Sequence, residues 1–92
     1  MQKWTQTEAI AFECACEVIT DLRAILTGQI ADETRKENPD AKLIASLRDE
    51  RSRLFRERAG LSVKDQATLA RVRAEYGAHV RSWRAKHNMV AV

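Results

Sequence analysis

Apolar residues recur every three or four positions through most of the chain, which is the spacing of an amphipathic α-helix. The first such run extends from about residue 5 to residue 35 and contains Ala11, Ala15, Val18, Leu22, Ile25 and Leu26. Thr5 and Glu8 precede it at the spacing of a capping box, in which each side chain bonds the other residue's backbone amide. Gly28 interrupts the pattern, but Ile30 resumes it. One helix over 5–35 is therefore predicted, and a break at Gly28 is the alternative.

Two further runs predict a second helix over 39–59 and a third over 62–87. Asn38 and Pro39 suit a helix start, Asn as the cap and Pro as the first helical residue. Gly60 suits a left-handed cap at the end of the second helix. Ser62 and Asp65 then form the opening of the third helix. Its apolar stripe consists of Leu69, Val72, Tyr76, Val80 and Trp83.

Short connections between long helices make neighbouring helices antiparallel. The chain is therefore predicted to be one all-α domain over residues 1–92, an up-down-up three-helix bundle or helical hairpin with a long first helix. Apolar residues of the first helix cover a wider arc than one neighbour would bury. This excess predicts a homodimer, in which a coiled-coil contact between the first helices of two chains completes the bundle. The contact residues would be Phe12, Val18, Ile19, Leu22 and Leu26.

The charge of the chain is unevenly distributed. Its 92 residues carry a net charge of +3, with 45% hydrophobic and 32% charged residues. Residues 1–34 hold two basic and six acidic residues, whereas residues 35–92 hold fourteen basic and seven acidic residues. One interpretation is that the two parts pack together and their fields partly cancel. The other is a basic surface for nucleic acid or an acidic protein.

The candidate chemical groups do not form a catalytic or metal-binding pattern. Cys14 and Cys16 are two positions apart, so a helix points them about 200° away from each other. His79 and His87 are eight positions apart, too far for the i, i+4 pair of a helical metal site. There is no glycine-rich phosphate loop and no nucleophile elbow. The sequence therefore predicts no enzyme, no metal site and no cofactor.

These observations predict a non-catalytic protein-protein interaction module. The expected type is a small adaptor or inhibitor, such as phages and mobile elements encode, that occupies the surface of a second protein. Glu13, Glu17 and Asp21 form an acidic ridge at i, i+4 spacing that would orient this partner. The rival prediction is non-specific nucleic-acid binding by the Arg-rich C-terminal half. Its candidate residues on the third helix are Arg71, Arg73, Arg81, Arg84 and Lys86, and five more arginines lie from Arg48 to Arg58.

The sequence also bears on location. Its longest apolar stretches are shorter than a membrane span, and no signal-peptide core follows Met1–Trp4. A cytoplasmic protein that does not engage a membrane is therefore the expectation. In keeping with this location, the two cysteines are interpreted as small buried thiols in a reducing compartment.

Overall fold

Three α-helices and two short connections make up residues 5–90, the part of the chain that the structure, a computed structural model, describes. Helix α1 spans Gln6–Thr34, α2 spans Ala41–Ala59 and α3 spans Gln66–Val90. No strand occurs within residues 5–90, which confirms the all-α class. The side chains of residues 88–90 are not described, and the first four and last two residues lie outside the described range.

Helix α1 begins and continues as its sequence predicts. The Thr5 hydroxyl accepts a hydrogen bond from the Glu8 amide at 3.1 Å, and the Glu8 carboxylate accepts one from the Thr5 amide at 2.7 Å. This is the capping box, which satisfies two amides that the first helical turn leaves unbonded. The helix runs through Gly28 without a break. Seven apolar positions on one side outweigh the modest cost of a glycine in a helix interior.

Helix α2 ends at Ala59 as predicted, but its start and the conformation of Gly60 differ from the prediction. Its cap is Asp40, whose carboxylate accepts from the Leu43 amide at 3.1 Å, so Asn38 and Pro39 lie before the helix. Gly60 follows the last turn with φ −90° and ψ −2°, a right-handed conformation and not the expected left-handed one. Its amide donates to the Arg56 carbonyl at 3.1 Å. Glycine is therefore not required here by backbone conformation.

Helix α3 begins four residues later and ends three residues later than predicted. Ser62 and Asp65 belong to a turn, in which the Asp65 amide donates to the Ser62 carbonyl at 3.1 Å. Asp65 then accepts from the Thr68 amide at 3.1 Å and so caps the helix that starts at Gln66. The sequence predicts both Ser62 and Asp65 at the opening of the helix, but only Asp65 caps it. The helix continues past His87 to Val90.

Helix α1 is the element on which the other two pack. Arg58 of α2 bonds to the first half of α1 at Cys16, whereas Arg51 bonds farther along at Thr27, so α1 and α2 are antiparallel. The start of α3 lies near the start of α1, and Arg84 pairs with Asp21 farther along. The order is therefore up-down-up. Among residues 5–90, no Cα atom of α2 lies within 8 Å of one in α3.

The core lies between α1 and its two neighbours. Its buried residues are Ala15, Ile19, Leu22, Ile25 and Leu26 from α1, Leu54 from α2, and Leu69, Val72 and Val80 from α3. Tyr76 and Trp83 pack against this core, as their place on the apolar stripe predicted. Two neighbours thus account for the wide apolar arc of α1, because each covers one side of it.

A buried acid joins the end of α1 to the start of α2. Glu33 is 6% exposed and accepts from the Asp40 amide at 2.9 Å, while Lys36 lies 2.8 Å from its other oxygen. Hydrogen bonds from Lys36 and Asp40 lower the pKa of Glu33 below its usual range. The contact fixes where the connection turns back.

No helix described here is long and apolar enough to cross a membrane.

Candidate functional site

The five residues predicted at a dimer contact fall into two groups. Ile19, Leu22 and Leu26 lie in the core beneath α2 and α3, each no more than 8% exposed. Phe12 and Val18 are half-buried. A contact between two chains through Ile19, Leu22 and Leu26 would require α2 or α3 to separate from α1. The part of α1 that can meet another molecule is therefore smaller than the sequence indicated.

An apolar cleft lies where the first half of α1 meets the connection between α2 and α3. It has a volume of about 380 Å³ and is lined by Ala9, Phe12, Glu13, Leu61 and Val63. A depression of about 400 Å³ continues from it along α1 and is lined by Phe12, Glu13, Cys16, Glu17, Thr20 and Arg58. The two together are called the N-terminal cleft below. Residues from three parts of the chain form its walls, so its shape depends on the fold.

The acidic ridge divides between this cleft and α3. Glu13 and Glu17 are exposed at the edge of the cleft, and within residues 5–90 neither has an ion pair. Asp21 lies 3.3 Å from a guanidinium nitrogen of Arg84. One acid of the ridge therefore holds α3, whereas the other two give the edge of the N-terminal cleft a negative charge.

The five basic residues proposed on α3 do not form one available surface. Arg71 lies 2.9 Å from a Glu75 oxygen and 3.3 Å from a Glu57 oxygen, and Arg84 pairs with Asp21. The Arg81 side chain lies along its own helix over Gly77, 3.1 Å from where a Cβ would stand. Arg73 and Lys86 are exposed and, among the described residues, have no ion pair. Two of the five charges are thus already compensated within the chain.

Side chains, not backbone, connect α2 to α3, and Glu57 is their centre. Its carboxylate accepts from the Tyr76 hydroxyl at 2.6 Å, from Arg53 at 3.2 Å and from Arg71 at 3.3 Å. Burial disfavours the charged form of Glu57, but the bonds from Tyr76 and Arg71 outweigh it, so its pKa is lowered. Burial, with the bond to Glu57, raises the pKa of the Tyr76 phenol. We call this group the Glu57 junction.

A second charged surface follows the seam between α1 and α2; the sequence indicated its arginines from 48 to 58 but not that Arg23 and Phe55 join them. It consists of Arg48, Arg51, Phe55 and Arg58 from α2 and Arg23 from α1, and is called the arginine face below. The signal in the sequence was the i, i+3, i+7, i+10 spacing of the four α2 residues, which places them on one side of that helix. Arg51 and Arg58 lie at the same 3-4 spacing as the apolar residues Leu47, Leu54 and Leu61. Their neighbour Phe55 is 55% exposed.

Two thiols and a groove along α2 are further features of the described residues. Cys14 and Cys16 are free thiols, both half-buried. In the part of the chain that the structure covers, no group of three or more His, Cys, Asp or Glu side chains is placed to hold a metal ion. A depression of about 800 Å³ runs along α2, but all the residues around it belong to that one helix, from Lys42 to Arg56. A single wall makes it an open groove and not an enclosing pocket.

The chain was compared with protein families, curated proteins and solved structures. No family model matches it. No curated protein sequence matches it. No solved structure matches it. Its function must therefore be inferred from its own surfaces.

Proposed function

We propose that this protein is a non-catalytic protein-binding module whose N-terminal cleft receives a segment of a partner protein. The observation that carries the proposal is an apolar cleft with an acidic edge. Phe12, Leu61 and Val63 provide apolar surface, and Glu13 and Glu17 stand along the rim. Apolar anchors in a concave site supply most of the affinity of such contacts.

The partner segment that fits this cleft has apolar residues on one side and basic residues beside them. Charges at the rim of an interface act mainly on association rate and orientation, since they stay partly hydrated. Lys or Arg opposite Glu13 and Glu17 would therefore align the segment, while its apolar residues enter beside Phe12. The protein would act as an adaptor or inhibitor by covering the surface from which that segment comes.

Two designed helical peptides test this proposal. Both carry leucine at every third or fourth position, and the remaining positions are lysine in one and glutamate in the other. We expect the lysine peptide to bind at least about tenfold more tightly at low salt, because opposite charges meet at the rim. Calorimetry gives the affinities, and backbone amide shifts in NMR spectra show whether Phe12, Glu13 and Val63 are the residues affected.

A matched pair of variants controls for net charge. The double variant Glu13→Gln, Glu17→Gln removes two charges from the rim, and Glu37→Gln, Asp49→Asn removes two exposed charges elsewhere. The first should lose most of the preference for the lysine peptide, whereas the second should keep it. Equal affinity of the two peptides for this cleft, as followed by the amide shifts of Phe12, Glu13 and Val63, or an equal effect of the two double variants, would contradict the proposal.

The rival function, nucleic-acid binding through the five basic residues of α3, is separated from this one by affinity capture. The protein is used to capture partners from its native host with and without nuclease. We expect a bound protein to survive the nuclease, whereas loss of every partner would favour nucleic-acid binding, by whichever surface, as the main function. The existing pairs of Arg71 and Arg84 with acids weigh against the rival.

Self-association remains a prediction, but the residues expected at the contact between the two chains change. Since Ile19, Leu22 and Leu26 are in the core, a homodimer through α1 would use its exposed or half-buried apolar residues, such as Ile10 and Phe12. Light scattering at micromolar concentration should then give about twice the chain mass of 10.5 kDa. A mass equal to that of one chain would remove the homodimer. A cytoplasmic location likewise remains a prediction.

A further inference from the structure

The arginine face places several positive charges and one exposed aromatic ring in a line. Arg48, Arg51, Phe55 and Arg58 follow one side of α2, and the first and last are ten positions apart. At 1.5 Å per residue this row is about 15 Å long. Arg23 of α1 lies beside its middle, because its Nε donates to the Arg51 carbonyl at 3.2 Å.

Neutral groups hold these guanidinium groups in position. Arg51 donates to the Thr27 hydroxyl at 3.0 Å, and Arg58 donates to the Thr20 hydroxyl at 3.1 Å and the Cys16 carbonyl at 3.3 Å. A guanidinium has five N–H donors, so each keeps others for a ligand. Within residues 5–90, none of the four arginines has a carboxylate within salt-bridge distance. Their charge is thus oriented but not compensated.

Phe55 is one of two large apolar residues of α2 that are exposed, the other being Leu43 at 42%. Phe55 is 55% exposed, and the Arg23 guanidinium carbon lies 5.0 Å from the centre of its ring. This distance is that of a cation–π contact, which steadies both groups. An aromatic ring that is fixed at one side and open to solvent offers a surface on which a nucleobase can stack.

We propose that the arginine face binds single-stranded nucleic acid, with phosphates on Arg23, Arg48 and Arg51 and a base on Phe55. Guanidinium groups match phosphate oxygens in geometry as well as in charge. An acidic protein surface would use the same arginines but would leave the exposed ring without a partner. A duplex would keep its bases stacked on each other and out of reach of Phe55. This site goes beyond the protein-binding cleft and lies on other residues, except that Arg58 borders both.

Fluorescence anisotropy with a labelled oligo(dT) of about twelve nucleotides tests the proposal. We expect binding at low salt that weakens as salt rises. With about three phosphates neutralised, the slope of log affinity against log salt should be about −2. Absence of binding up to about 100 µM protein, the weak end of non-specific affinity, would overturn the proposal.

Charge-matched variants locate the site. Arg48→Glu and Arg73→Glu make the same change in net charge at exposed positions, the first on the arginine face and the second on α3. We expect Arg48→Glu to weaken oligo(dT) binding at least about tenfold and Arg73→Glu less than about threefold, because phosphate contacts act locally once salt screens the field. Equal losses, or a larger loss with Arg73→Glu, would overturn the assignment.

The aromatic ring separates nucleic acid from other polyanions. Phe55→Ala should weaken oligo(dT) binding about tenfold, and Phe55→Tyr should retain it, since stacking needs only an aromatic face. Heparin, which has charge but no bases, should bind the wild type and Phe55→Ala within about twofold. If Phe55→Ala leaves oligo(dT) binding unchanged, the face binds anions only and the proposal fails. Circular dichroism confirms that each variant is folded.

Discussion

Replacement of Ile19 by Ala is expected to lower the free energy of unfolding by about 2–4 kcal/mol. Ile19 is fully buried where α1 meets both of its neighbours, so truncation leaves a cavity that helices on two sides cannot easily close. A domain of this size has a total stability of roughly 5–15 kcal/mol, and a large part of it would be lost. Urea denaturation followed by circular dichroism measures the change.

Ile10 provides the matched control on the same helix. It is 51% exposed, so Ile10→Ala should cost less than about 1 kcal/mol. The pair also distinguishes the core from an interface between chains. If Ile19 were buried by a second chain, the effect of its replacement would depend on protein concentration. Equal effects of the two substitutions, or such a dependence, would contradict the packing described here.

Removal of the Glu57 carboxylate by Glu57→Ala is expected to cost about 1–3 kcal/mol. The substitution leaves the half-buried Tyr76 hydroxyl without its acceptor and removes the acid shared by Arg53 and Arg71. Glu75→Ala is the control, because Glu75 is exposed and pairs only with Arg71 among the described residues. Its loss should cost less than about 0.5 kcal/mol.

The stabilisation that Glu57 provides is also expected to depend on pH. The pKa of Glu57 is lower in the folded chain than in the unfolded chain, so its contribution is present above the ordinary pKa of about 4.3. It is lost as the pH falls through the lower, folded value. The stability difference between the wild type and Glu57→Ala should therefore shrink as the pH is lowered from neutrality through that range. A difference that grows on acidification would contradict the assigned direction.

The existence of the helices could be predicted from local signals, but their ends could not. The Thr5 and Glu8 box is a reciprocal arrangement within four residues, and it forms as the sequence predicts. At the starts of α2 and α3, the predicted first residues lie before the helix, and a later aspartate acts as the cap. At the start of α2, Asp40 is the cap, and its amide also donates to the Glu33 carboxylate. This contact with a residue of α1 fixes the position of the chain where α2 begins. Such contacts between elements leave no periodic trace in the sequence.

The apolar arc of α1 shows a different limit. Its width correctly indicated that more than one surface covers the helix. The identity of the cover could not be predicted, because a neighbouring helix of the same chain and a second chain impose the same pattern. Ile19, Leu22 and Leu26 are covered by α2 and α3. The N-terminal cleft could not be predicted either, because its walls are formed by residues that are far apart in the sequence.

Charge balance predicted pairing in part. The negative first third and the basic remainder do meet at Asp21 and Arg84. Arg71, however, pairs with Glu57 and Glu75 in its own part of the chain. Net charges average over positions and cannot specify which side chains face each other. For that reason the sequence did not show which arginines from 48 to 58 lack an acid partner, nor that Arg23 of α1 lies beside them.

The arrangement of α2 and α3 on α1, without backbone contact to each other, has a consequence for combined substitutions. Changes at sites that share no neighbours have additive free energies, whereas changes at sites in contact do not. A substitution on the outer side of α2 and one on the outer side of α3 should therefore add. Coupling between these helices is expected where they meet directly, between Glu57 and its partners Tyr76 and Arg71. The surfaces of α2 and α3 can thus change independently over evolution, provided that this one connection is kept.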